Sequence, residues 1–146
     1  MVKEGVLKEI KDRLSEKILK VYEKSPRRAY IDLKPADIPP AASFIFRDLK
    51  ARFITASGVD TPEHIEILYH FVFDRLGKII SLRTRLNRKN PEIESLTSII
   101  RGAEWIEREI HELLGVNFRN HPNLKKLLMA EDWPENKYPL RRDYRG

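Results

Sequence analysis

Two glutamates, Glu107 and Glu109, sit two positions apart in the run Trp105-Ile106-Glu107-Arg108-Glu109-Ile110-His111-Glu112-Leu113-Leu114-Gly115. Paired carboxylates perform general acid–base chemistry when both reach one substrate. The run reads as a helix over Ala103–Leu114, closed by Gly115, with Ala103, Ile106, Ile110, Leu113 and Leu114 as its apolar stripe. Residues two apart on a helix diverge by about 200°, so these two acids cannot share a substrate. Each borders the stripe on a different side, while Arg108 points away. A carboxylate at the edge of a buried face needs a cation or backbone donors. The spacing therefore predicts anchoring, of the arginine-bearing C-terminal segment or of a neighbouring subunit, and no catalytic residue.

The histidines offer little more. His64 and His70 share strand parity but stand roughly 20 Å apart at 3.3 Å per residue, too far to chelate one ion. His111-Glu112 lacks the second histidine of a zinc helix, and the position where it would recur is Gly115. His121-Pro122 belongs to the C-terminal segment. The six glycines (5, 58, 77, 102, 115 and 146) are too scattered to cradle a nucleotide phosphate. No metal or cofactor site is expected in this chain.

The elements that must position these residues follow from periodicity. Residues 3–24 read as one amphipathic helix, with Val6, Leu7, Ile10, Leu14, Ile18 and Val21 on one face and Ser25-Pro26 as its stop. Arg28–Leu33 reads as a strand. Asp37 reads as the N-cap of a helix running to about Ala51, with Pro39 and Pro40 in the first turn. Three strands follow: Arg52–Ser57 ending in a Gly58-Val59-Asp60 turn, the alternating His64–Phe73, and Lys78–Leu86, the last two joined by a hairpin at Asp74-Arg75-Leu76-Gly77. Leu96–Ile100 reads as a single helical turn. The expected fold is α+β, a two-layer sandwich of helices on a mostly antiparallel sheet in the order α-β-α-β-β-β-α, with an extended C-terminal tail. Residues 1–115 are expected to form the core domain, and 116–146 an extended tail that wraps its own domain and then packs on partner subunits.

Composition narrows the class. The 146 residues carry 28 basic and 22 acidic side chains, a net charge of +6, and no cysteine. Without thiols there is no disulfide scaffold, zinc ribbon, cysteine nucleophile or ordinary thiolate-held iron–sulfur cluster. No run of 18 apolar residues suggests a membrane span, and the N-terminus lacks the apolar core of a secretory signal. Abundant Lys, Glu and Arg with two Met suits a hot-growing source. The segment after Gly115 has no clear period, yet it holds Phe118, Leu124, Trp133, Tyr138, Leu140 and Tyr144 beside Arg141 and Arg142. Disordered tails are poor in such residues, whereas arginines and aromatics dominate protein interfaces. A basic, aromatic tail also admits a free-standing RNA-binding domain, but the charge is spread along the chain and not gathered into one stripe.

These residues together name a family. The run Trp105–Gly115 resembles the W-x-E-R-E-x-x-D-[LM]-[LF]-G signature of the C subunit of NADH:quinone oxidoreductase, respiratory complex I. His121-Pro122-Asn123-Leu124 with Leu127-Leu128, Glu131-Asp132-Trp133, and Pro139-Leu140-Arg141-Arg142-Asp143-Tyr144 resemble the family's closing motifs. Gly58-Val59-Asp60, Tyr69-His70 and Ser95-Leu96-Thr97 fall in the expected order upstream. The chain departs at Asn120, where the family has glycine, and at Glu112 and Asn123, where it usually has aspartate. The same type of subunit occurs in energy-converting membrane-bound [NiFe] hydrogenases and related ferredoxin-dependent complexes. The resemblance implies a cofactor-free, non-catalytic scaffold, peripheral on the cytoplasmic face of the cell membrane. It would lie beside a hydrogenase-like large subunit and a cluster-bearing small subunit, with iron–sulfur clusters, Ni–Fe or quinone held by those partners. It would touch the membrane arm only indirectly and bind no nucleic acid. Trp105, Glu107, Arg108, Glu109, His121, Pro122, Trp133, Arg141, Arg142, Asp143 and Tyr144 are the expected interface or tail-anchoring residues.

Overall fold

The computed structural model describes residues 3–124, 138, 140 and 141. Trp133, Arg142, Asp143 and Tyr144 therefore lie outside the described residues, as does most of the stretch expected to reach partners.

Helix α1 spans Lys3–Leu14 and buries Val6, Leu7, Ile10 and Leu14. It ends earlier than the periodicity predicts. Ser15 takes a positive φ of 40°, one 3-10 turn follows, and Ile18–Ser25 is strand β1. Ile18 and Val21 extend the helical stripe on paper, but this segment is rich in β-formers and lies against an open sheet edge. A full ladder to β2 (Arg28–Leu33), running from Ile18↔Leu33 to Ser25↔Arg28, outweighs an i,i+4 pair such as Glu16–Lys20, worth about 0.3–0.5 kcal/mol. Ser25-Pro26 is thus a hairpin turn and not a helix stop.

Helix α2 (Ile38–Ser43) continues as a π-helical turn, Phe44–Asp48, and stops before Lys50, whose φ is 62°. Asp37 occupies the N-cap, but its side chain makes no capping bond. Strands β3 (Arg52–Asp60), β4 (His64–Phe73) and β5 (Lys78–Asn87) form the meander. Strand β3 runs through the expected Gly58-Val59-Asp60 turn. The turn lies at Thr61, whose hydroxyl accepts from the His64 N–H (3.0 Å) and donates to the His64 carbonyl (2.6 Å). The sheet order is β1-β2-β5-β4-β3, antiparallel except for β2 beside β5. The architecture is the expected α+β two-layer sandwich.

Alternation along β4 and β5 sends Ile65, Ile67, Tyr69, Phe71, Phe73, Ile80, Leu82 and Leu86 into one core with the apolar faces of all three helices. The opposite sheet face carries a polar ladder. Asp32 accepts from Arg83 (2.7 and 3.3 Å) and Arg85 (3.2 Å), Arg85 reaches Glu66 (3.3 Å), and Glu66 meets His64 (3.1 Å).

Helix α3 (Ala103–Leu114) keeps its predicted limits, and Gly115 closes it in the left-handed region at φ 77°. It crosses β3 at Gly58, where a Cβ would come within 2.5 Å of Leu114 Cδ1 and 3.2 Å of Ile110 Cγ2. Gly58 is thus a close-approach residue and not a turn residue. Two three-residue strands, β6 (Glu92–Glu94) and β7 (Asn117–Arg119), flank α3 and pair in parallel, with Ile93 opposite Phe118. Val116 and Phe118 are buried, so the first residues past Gly115 complete the chain's own core.

Candidate functional site

The two glutamates of α3 have opposite fates. Glu107 is fully buried. Its Oε1 accepts from the Ser95 hydroxyl (2.6 Å), and its Oε2 accepts from the Tyr69 phenol (2.8 Å) and the Leu96 N–H (2.9 Å). Ser95 is oriented by Thr97, whose backbone N–H donates to its Oγ (3.1 Å) and whose hydroxyl lies 2.8 Å away. His121 also stands 4.0 Å from Glu107. The Asn123 N–H donates into His121 Nδ1 (2.9 Å), which leaves the ring proton on Nε2, donating to the Glu104 carbonyl (3.0 Å). Glu107 is thus held by the Ser95 and Tyr69 hydroxyls and the Leu96 N–H, with the His121 ring beside it. Four segments (β4, the 95–97 turn, α3 and the residues after β7) meet at this carboxylate.

Burial raises the Glu107 carboxyl above the usual glutamate value, although its three hydrogen bonds pull the other way. Burial, then the neighbouring Glu107 charge, holds the Tyr69 phenol well above its usual value. Such perturbed groups often mark active sites. Here every lone pair in use points at a fixed donor within the fold, so the arrangement is a clasp.

Glu109, on the other side of α3, is half-buried and has no hydrogen-bond or ion-pair partner among the described residues. It lies between two apolar hollows along the α3–β3 seam, one of about 420 Å³ beside Phe53, Ile54 and Trp105, the other of about 200 Å³ beside Gly58, Leu113 and Leu140. Trp105 is 62% exposed and Leu140 58%. Arg108 does not point away from the core as expected. It is only 9% exposed, its guanidinium 5.2 Å from the Trp105 ring centroid.

The C-terminal segment returns to the end of α3. The Leu140 N–H donates to the Leu113 carbonyl (3.0 Å), and Arg141 Nε donates to the Leu114 carbonyl (2.6 Å). A cation on the last carbonyls of a helix both caps and complements its dipole. The Tyr138 ring lies so close over Gly115 that a Cβ there would come within 2.6 Å of it. Arg141 thus anchors the tail to the backbone carbonyl of Leu114. Pro122 is exposed.

The structure therefore brings Glu107 and His121 together inside and leaves Trp105 and Glu109 outside, with Arg141 at the helix end. Tyr69, Ser95, Gly58 and Tyr138 complete this arrangement, although the sequence did not place them at this site: Gly58 read as a turn residue and Tyr138 as one aromatic of the tail. Tyr69 and Ser95 were visible only as members of motifs in the right order. The remaining histidines are engaged: His111 Nδ1 lies 2.8 Å from the Val116 carbonyl, and His70 bridges Ser57 (3.0 Å) and Ser81 (2.6 Å). Among the described residues no three His, Asp or Glu side chains cluster as a metal site would require. No described helix is long and apolar enough to cross a membrane.

The described residues form a two-layer α+β domain with one helix clasped at a buried carboxylate. Residues 31–146 match the family described as "Respiratory-chain NADH dehydrogenase, 30 Kd subunit", and the chain belongs to that family. It is 43% identical over 94 residues to the C subunit of F(420)H(2) dehydrogenase of Methanosarcina mazei, covering 63% of this chain and 59% of that protein. It is 30% identical over 118 residues to the C subunit of NADH-quinone oxidoreductase of Citrifermentans bemidjiense, covering 78% of this chain and 72% of that protein. The chain thus spans about three fifths of the first relative's length. The fold is shared with a chain of the membrane-bound sulfane sulfur reductase, an archaeal respiratory membrane complex. That match has a TM-score of 0.83 and 21% identity, covering 97% of this chain and 85% of that one.

Proposed function

We propose that this chain is a non-catalytic scaffold subunit in the hydrophilic arm of a membrane-bound, complex I-like redox ion pump. In this reading it sits on the cytoplasmic face and braces a hydrogenase-like large subunit beside a small subunit that bears iron–sulfur clusters. Electron transfer, and any Ni–Fe or quinone chemistry, belong to those partners. The observation that carries the reading is the state of Glu107: a fully buried acid is spent on Tyr69, Ser95 and Leu96, bonds that hold its own fold together. The exposed apolar seam at Trp105, Ile54 and Leu140 supports a role in contact.

The reading leans to a ferredoxin-fed, hydrogenase-type complex. The relative from an F(420)H(2) dehydrogenase indicates that this type of subunit serves donors other than NADH. The rival RNA-binding reading needs free cations on the open sheet face. There Arg83 and Arg85 are already paired with Asp32 and Glu66.

The test is to purify the chain alone and in its complex. The isolated chain should be colourless, bind no NADH and turn over nothing, whereas the complex should show cluster absorbance and lose this subunit when residues 134–146 are deleted. Turnover by the isolated chain, or full assembly of the deletion, contradicts the proposal. Salt-sensitive RNA binding by the isolated chain would favour the rival.

A further inference from the structure

We propose that the seam between β3 and α3 docks a segment of a neighbouring subunit that offers one lysine or arginine to Glu109 from among aliphatic side chains. This rests on the scaffold reading above and specifies the chemistry of one contact. Four observations converge on it.

First, Glu109 is half-buried with no hydrogen-bond or ion-pair partner among the described residues, in a chain with 28 basic side chains. The described contacts of this fold leave the charge unanswered. Second, the hollows on either side share Ile106 and Glu109, so they form one line along the helix, with the carboxylate at its middle. A segment with aliphatic residues flanking one cation fits that order: apolar, anionic, apolar. Third, Ile54, Trp105 and Leu140, 42%, 62% and 58% exposed, stand beside the line as apolar surface, and tryptophan is among the residues that dominate interface energies. Fourth, β3 is the sheet's edge strand, and its pairing with β4 shifts register between Phe53 and Thr55, an irregularity of the kind that bends and twists a strand. An irregular edge resists addition of another strand, which favours a helical or looped segment laid across side chains.

A second copy of this chain fits poorly. A two-fold contact would bring Glu109 near its own mate, and each copy carries a net charge of +6.

The experiment places a benzophenone amino acid at Ile54, and separately at Trp105, in the full chain within its complex, and maps the crosslinked peptides by mass spectrometry. The expected product joins this chain to another subunit, at a site within one helical turn of a Lys or Arg. Alongside it, Glu109→Arg should speed release of this chain from the complex by about 30-fold or more. Glu109→Gln should do so by about 10-fold, without moving the melting temperature of the isolated chain. Reversing the charge of the crosslinked partner's cation should restore binding of the Glu109→Arg chain.

Crosslinks confined to this chain, to a second copy or to a segment with no cation overturn the inference, as does normal retention of both Glu109 variants. In those cases the chain is still in its complex, and the proposed function stands. A chain that purifies with no other subunit overturns both.

Discussion

Glu107 and Glu109 share a residue type, a helix and nearly the same position, yet one looks into the fold and the other out of it. Around Glu107 three donors lie within 2.9 Å and no water-facing surface remains. Around Glu109 there is an apolar groove and no described partner. A buried carboxylate that is fully satisfied reports how a chain holds itself together. A half-buried one with no described partner is where the proposed contact with a neighbour falls. The turn of about 200° between them makes α3 a two-sided element: a clasp for the domain on one side and, as proposed above, a contact for neighbours on the other.

The largest effect that could break this contrast is Glu107→Ala. It strands the Tyr69 hydroxyl, the Ser95 hydroxyl and the Leu96 N–H in a dry site, so it should cost about 3 kcal/mol or more, read as a fall in urea midpoint. Glu109→Gln should leave that midpoint unchanged. Equal losses for the two would dissolve the distinction. Next comes Gly58→Val, which forces side-chain atoms into the crossing with Leu114 and Ile110 and should cost about 1–3 kcal/mol. It should also shift near-ultraviolet signals from Trp105 as α3 is displaced. Arg141→Ala removes a partly exposed cap on the Leu114 carbonyl and should cost about 0.5–1 kcal/mol. Its clearer signature is faster hydrogen exchange at the Leu140 N–H.

The smallest effect is a slope with pH. Because burial raises the Glu107 carboxyl, the folded chain holds that proton more tightly than the unfolded chain does. The resulting stabilisation is whole below the ordinary glutamate pKa of about 4.3 and is lost as pH rises through the raised value. Urea midpoints of the wild-type chain, measured from about pH 4 to 7, should therefore fall relative to those of Glu107→Gln. A rising difference would mean that the three hydrogen bonds outweigh burial.

Much of this was legible locally. Helix α3 and its Gly115 stop, the β4–β5 hairpin and the covered face of the sheet all follow from periods of 3.6 and 2 and from one positive φ. Strand β1 was not, because Ile18 and Val21 continue the spacing of Ile10 and Leu14, and only the nearby edge of β2 tips them into a strand. Nor were β6 and β7, three residues each, whose parallel pairing joins segments on either side of α3. For the site, the chemistry of α3 announced that two acids needed partners. It could not say which, because Tyr69 and Ser95 reach Glu107 only through the fold. Gly58 looked like a turn because its role, admitting Leu114 and Ile110, is set by an element far along the chain.

The most direct test of the account is the composition of what holds this chain in the cell. Tagged full-length protein should be recovered from detergent-solubilised membranes of its source, and its companions quantified by mass spectrometry and iron content. The account predicts a stoichiometric complex with cluster-bearing subunits, its iron residing wholly in those partners. Recovery of the chain alone from the soluble fraction, or iron that stays with it after the partners are stripped away, would contradict it.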